Sequence, residues 1–424
     1  MLIVANGVAM KPFMKSPYCI MNKKFFCCFF SVFLMSCSTR QAEQSDLPLN
    51  GDRYIIDLDV ERDTSIPLSS LFKNVRTIVL ETGDSYLIGS LDDLQVFDGY
   101  IYILDSRKAK SLFVFDMEGR FIRKIGRVGN GPGEYSEIKD FTLDTKNGFI
   151  FLLGAVNRVL KYQLDGTYVY TISIQEPNTI SNFIQFYDGK LYSYSFGKNQ
   201  SLNDYMLLET DPEDGKVLSR SLPVKYNKGW TEPFFYGHSR FFMSRTNNPP
   251  RYNQMFMDYI VSIGKEITPY IELKSKYLTT EKNIEDFRSD GAIRVNSGNI
   301  LNSKRIFNVN CFVENDNFIN FRCGINPASS FAVILNKKTE EVKLVNYLSN
   351  DLIYKQDRKG GLGRFVFADE KGAYDILDTQ SFTTISNFKT ALMNDEIVPD
   401  LDKIDQLKQL DAESNPVIFF YAFK

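Results

Sequence analysis

The sequence predicts an all-β fold, a six-bladed β-propeller of four-stranded antiparallel blades with helical inserts near the C-terminus. Three observations carry it. Two turns closed by glycine, Asp116-Met117-Glu118-Gly119 and Leu164-Asp165-Gly166, stand 47 residues apart, and short apolar runs broken by turn residues lie between them. A period in the forties with about four strands per unit is the signature of a propeller blade. Aromatic residues make up 14% of the chain, with 35 Phe and 23 Tyr against one Trp, and such rings suit a pleated, half-buried surface. Finally, Asp98-Gly99 and Asp188-Gly189 each sit between two apolar runs, which is the chemistry of a tight two-residue hairpin turn.

The N-terminus reads as an export signal. From Met21 the chain runs MNKKFFCCFFSVFLMSC, with two lysines, an apolar stretch and Leu34-Met35-Ser36-Cys37. A basic start, a short apolar core and a small residue before the cut describe a secretory signal, and the stretch is short for a bilayer span. Residues 1–36 are therefore expected to be removed, with 1–20 lying upstream of a true start at Met21. The Leu-x-Ser-Cys ending resembles the lipobox of bacterial lipoproteins, which implies a diacylated Cys37. Residues 37–52 are polar and aperiodic and read as a lipid-anchored linker, leaving 53–424 for the propeller. Loss of the signal removes four lysines and leaves 46 basic against 52 acidic side chains. That balance excludes electrostatic binding to nucleic acid or anionic lipid as the main activity.

Along the chain, Arg53 to Val60 alternates as a strand, and Val75 to Leu80 reads as another. Blade 1 takes Asp93 to Phe97, Tyr100 to Leu104, Ser111 to Phe115 and Arg120 to Ile125. Blade 2 takes Phe141 to Leu143, Phe149 to Leu153, Arg158 to Gln163 and Tyr168 to Ile174. Blade 3 follows from Phe183 to Val224. Blade 4 carries a long insert, and blade 5 spans Ile306 to Val345. Blade 6 begins near Phe365 and is interrupted by helical patterns at Phe382 to Met393 and Leu401 to Leu410, with Asp400 as N-cap of the second. The last run, Pro416 to Tyr421, is expected to pair with a strand from Tyr54 or Val75, closing the ring and removing open sheet edges. Cys311 and Cys323 flank a turn at Glu314 to Asn317. With a two-residue turn Cys311 faces Asn320 and Cys323 faces Asn308, which points the thiols to opposite faces and predicts no disulfide.

Gly126, Gly129, Gly131, Pro132, Gly133 and Tyr135, followed by Asn157-Arg158 and Asp165-Gly166, resemble an NHL-type propeller repeat. The chain departs from that pattern at Ile138, where the repeat has proline, and at Gly154, where it has an aspartate that Asp105 keeps one blade earlier. With the lipobox, Leu80-Glu81-Thr82 and Asn415-Pro416-Val417, the chain resembles six-bladed β-propeller lipoproteins of Gram-negative bacteria. The resemblance implies an outer-membrane lipoprotein, periplasmic or surface-exposed, attached to the membrane through Cys37. It implies a fold and no activity.

No catalytic set stands out. The glycine loop at 129–133 lacks the Gly-Lys-Ser/Thr and the following helix of a phosphate cradle. His238 is the single histidine, so a three-histidine zinc site is excluded, and a serine triad would have to rest on that residue. No spacing singles out metal ligands, and no cofactor is expected; calcium, held by oxygen ligands at the pore, enters only with an enzymatic reading. In a four-stranded meander the connections after the second and fourth strands share a face. Arg107, Lys110, Glu134, Tyr135 and Arg158 therefore belong together as candidate ligand-binding residues, since loops on a rigid scaffold carry binding. Trp230 and Tyr236, in the aromatic insert after blade 3, are further candidates for stacking on a ligand. The expectation is a monomeric, envelope-anchored, non-catalytic propeller that binds a glycan, peptide or protein. The alternative is a metal-assisted lactonase-like or lyase-like enzyme. Three or more convergent carboxylates or amides in the channel would favour the second, and an aromatic, basic rim the first.

Overall fold

The computed structural model describes residues 43–197, 204–230, 241–242, 249–289, 302–326, 329–357 and 362–424. They form six blades around a centre. Blade 1 is Asp93–Phe97, Tyr100–Asp105, Ser111–Asp116 and Phe121–Ile125; blade 2 is Ile138–Asp144, Phe149–Gly154, Arg158–Gln163 and Tyr168–Ser173. Consecutive strands pair antiparallel in both. Gly119 (φ +91°) and Gly166 (φ +93°) occupy equivalent left-handed turns, each donating its N–H to the carbonyl three residues back, Asp116 and Gln163, at 3.0 Å. The 47-residue echo is thus one blade superposed on the next. Blade 4 contains a short strand that the pattern did not reveal, Arg251–Tyr252, because two residues show no period.

The core lies between blades rather than within them. Side chains alternate along each strand, so Leu94 and Val96 pack towards Tyr374 and Ile418 of blade 6, while Tyr102 and partly buried Phe97 pack towards Phe141 and Tyr162 of blade 2. The same two-sided arrangement recurs at the other seams.

The stretch before blade 1 is a strap. Glu43–Ser45, Tyr54–Asp57 and Asp63–Pro67 add parallel fifth strands to the outer edges of blades 3, 4 and 5 in turn. Phe72–Val79 then pairs antiparallel with Val417–Phe423 and completes blade 6. The closing strand is therefore the one around Val75, and the run from Tyr54 covers blade 4 instead. The second half of the expected linker is also docked: Leu47 is buried and Asp46 accepts from Lys225 and Tyr226. Each added strand satisfies backbone groups that an outer edge would leave open.

Two local expectations are corrected, and one helix is added. In blade 5 the register is Val309↔Cys323 and Asn310↔Arg322, with a bulge before Val313. The turn is centred one residue further on, at Asp316-Asn317: Asn315 N–H donates to the Phe318 carbonyl at 3.0 Å, and Asn315 Oδ1 accepts from the Asn317 and Phe318 N–H groups; Cys311 and Cys323 are both free, as expected. The second C-terminal helix is Ile404–Gln409, with Lys403 rather than Asp400 at its N-cap. Asp402 is bonded to the Thr77 N–H of the closing strand at 2.8 Å, which holds the chain out of helix until after it. A further helix, Glu281–Ser289, begins where Thr280 and Asn283 cap each other's backbone N–H groups, a capping-box arrangement.

The two faces of the ring differ. Connections after first and third strands are turns of two to six residues, apart from that of blade 4, most of which lies outside the described residues. Connections after second and fourth strands vary far more in length, and the longest of them carry the three α-helices of the described residues. No helix among the described residues is long and apolar enough to cross a membrane.

Candidate functional site

The loop face is built most fully at the seam of blades 1 and 2. The glycine loop forms a small parallel bridge, Arg127–Val128 with Glu134–Tyr135, and Gly133 takes φ +71° with the Tyr168 ring where a Cβ would stand. Glu134 accepts from the Gly131 N–H at 2.7 Å and from Arg127 Nε at 2.6 Å. These bonds, the Gly131 one first, hold its carboxyl below the usual range. Tyr135 is buried and donates to the Lys110 carbonyl at 3.2 Å, which places the glycine loop and the 106–110 loop side by side as topology requires. Burial pushes its hydroxyl up to about 12, so it stays neutral.

The neighbouring 155–157 loop is strained. Val156 (φ +54°) and Asn157 (φ +58°) both lie in the left-handed region, where a β-branched residue is a genuine outlier. Asn157 accounts for this. Its buried amide donates to the Thr179 carbonyl at 3.2 Å, its Oδ1 accepts from Ser181 N–H at 2.8 Å, and its carbonyl accepts from Ile174 N–H. That stapling to blade 3 fixes the loop and turns Val156 outward, 70% exposed. Val128, 53% exposed, stands on the adjoining loop.

The candidates read from sequence divide accordingly. Arg107, Lys110 and Arg158 are exposed on this face. Arg107 is held by Asp92 at 2.6 Å; among the described residues neither Lys110 nor Arg158 has an ion-pair partner. Glu134 and Tyr135 are spent on holding the glycine loop. Trp230 is 2% exposed and packs edge-on against Phe256, its ring centroid at 5.2 Å, so it presents no stacking surface. Tyr236 and His238 lie outside the described residues, as does Cys37. Sequence reasoning missed Val128 and Val156, whose exposure depends on loop backbone and has no compositional trace.

The innermost strands are tied across blades by polar side chains. Gln95 Nε2 donates to the Phe141 carbonyl at 3.1 Å, Asp140 accepts from Ile184 N–H at 2.7 Å, and Thr142 accepts from Phe186 N–H at 2.9 Å. Blade 6 holds Asp375 against the Gly363 and Arg364 N–H groups, and burial still lifts it to about 6. Burial pushes the Cys311 thiol up to about 11, which removes it as a nucleophile. Among the described residues no cluster of three or more His, Cys, Asp or Glu could hold a metal.

Comparison with known proteins agrees with this architecture. A protein of Bacteroides fragilis thought to be exported is 20% identical, covering 87% of this chain and 99% of its own, with a TM-score of 0.68; likeness at that identity speaks for the fold. A protein of unknown function from Bacteroides caccae is 12% identical over 65% of this chain and 81% of its own, with a TM-score of 0.34. No curated protein matches. The model of one family, a domain of unknown function designated DUF4934, matches residues 53–422, and the chain belongs to that family.

Proposed function

We propose that this protein is a non-catalytic binding propeller of the cell envelope, a lipoprotein of the outer membrane held by a diacylated Cys37. Its partner, a glycan, peptide or protein, docks on the loop face at the seam of blades 1 and 2. The observation that carries the reading is Val156, an exposed apolar side chain kept in a strained conformation two residues from Arg158, on the face that also carries Lys110, both cations without an ion-pair partner among the described residues. Strained residues of this kind concentrate at ligand-binding sites, and an apolar tip flanked by cations suits a partner with both acidic and apolar groups. The NHL-like spacing of the glycine loop supports the same placement. The metal-assisted enzyme reading draws on the channel carboxylates alone.

Two tests address the proposal. Val156→Asn, which suits the left-handed backbone, is expected to stabilise the fold by about 1 kcal/mol while weakening capture on glycan and peptide arrays. Lys110→Glu with Arg158→Glu leaves every ion pair of the face intact and is expected to weaken the same capture. Undiminished capture by both variants would refute the assignment of the face. For the anchor, Cys37→Ala is expected to release the protein from the membrane fraction, and retention there would rule out the lipid.

A further inference from the structure

The innermost strands of blades 1 and 2 carry an aspartate at the same place. Asp93 pairs in register with Leu104 and Asp140 with Leu153, so the two carboxyls occupy equivalent positions on adjacent blades. Among the described residues no lysine or arginine forms an ion pair with either. One oxygen of Asp140 is used by Ile184 N–H, and among side chains of the described residues Asp93 receives Gln95 Nε2, at 3.3 Å. The Gln95 amide is fixed in orientation, because its nitrogen also donates to the Phe141 carbonyl. Its oxygen, on a side chain 4% exposed, has no partner. A buried acceptor without a donor is costly, and here it stands on an amide bonded to one of two uncompensated carboxylates.

We propose that Asp93, Asp140 and the Gln95 amide oxygen hold a hard divalent cation at the central seam of blades 1 and 2. All three groups offer oxygen, which is the donor chemistry of calcium and magnesium. An irregular set drawn from two rigid strands suits calcium, which tolerates variable geometry, better than magnesium, which demands an octahedron. Water reaching the partly buried Asp93 completes the shell. A proton shared by the carboxyls would relieve their repulsion but leave the Gln95 oxygen orphaned; a cation satisfies all three. Burial first, and for Asp140 the neighbouring Asp93 charge, push both carboxyls upward. Asp92, next in sequence, takes no part, because Ser90, Ser106 and Arg107 occupy its oxygens.

This inference stands apart from the loop-face reading and is tested apart from it. The whole protein, freed of metal with a chelator, is titrated with calcium chloride and separately with magnesium chloride, at constant ionic strength. Calorimetry should show one cation bound per chain, and the thermal midpoint should rise with it. Asp93→Asn and Asp140→Asn should each abolish the binding and the rise, while melting in chelator no lower than the parent, since a repulsion is removed. If Asp140→Asn fails to fold, Asp93→Asn decides, because Asp93 holds no other blade in place. No binding of either ion, or binding unchanged in Asp93→Asn, would overturn the site.

Discussion

Glu314→Ala is expected to destabilise the protein by about 3–5 kcal/mol, read as a fall in the midpoint of thermal unfolding. Glu314 is fully buried and receives the Arg251 guanidinium through two bonds, at 2.9 and 3.1 Å. Tyr270 donates to it at 2.6 Å and Lys337 at 3.0 Å. Arg251 is itself nearly inaccessible and lies 3.5 Å from the Tyr270 ring centroid. The network joins blade 4 to blade 5, and alanine would leave a desolvated guanidinium uncompensated. Burial opposes the charge of Glu314, but Arg251, Tyr270 and Lys337 together hold its carboxyl below the ordinary glutamate value of 4.5. A depressed carboxyl adds stability above its unfolded value and loses it as pH falls through the folded one. The parent should therefore lose stability below about pH 4.5 in a step that the variant lacks. Equal pH profiles would show that the network contributes nothing to the fold.

Phe72→Ala should cost a similar amount, about 3–5 kcal/mol, for a different reason. Phe72 opens the strand that closes the ring. It is fully buried, stacks on Phe423 at 5.6 Å, and meets Phe318, Phe365 and Tyr421 at 5.1 to 6.1 Å. Removing it empties the junction of blades 5 and 6, where Phe72–Val79 meets the last strand. Ile55→Ala, on the strap and 54% exposed, serves as the comparison and should change stability by less than about 0.5 kcal/mol. Equal effects of the two substitutions would mean that the junction is not where closure is secured.

Blades 1 to 3 were legible because their strands are bounded by local chemistry. Asp98-Gly99, Gly119, Gly166 and Asp188-Gly189 take the left-handed angles that such turns require. The first strand of the strap was illegible for the opposite reason: Glu43–Ser45 is three polar residues whose extended form depends on Ser219 to Ser221 far along the chain. The Arg251–Glu314 pair unites two distant segments and leaves no trace in spacing. Asp93 and Asp140, however, repeat the 47-residue interval of the two glycines. Applying that interval to every residue type would have placed both carboxyls on matching strands. The loop-face candidates followed from topology alone, and what topology could not show was which side chains the loops had already consumed.

The strap also sets an order of events. Its first strand waits for blade 3, its later ones for blades 4 and 5, and Phe72–Val79 for Val417–Phe423 at the far end of the chain. Pairings this distant in sequence form late, since loop closure must precede them. Blades 1 to 3 can assemble as synthesis proceeds, whereas the strap docks in stages and Phe72–Val79 finds its place last. Until the final strand emerges, Phe72–Val79 lacks the neighbour that joins it to blade 6. A chain ending before residue 417 would have five blades' worth of sheet and no means of shutting the ring.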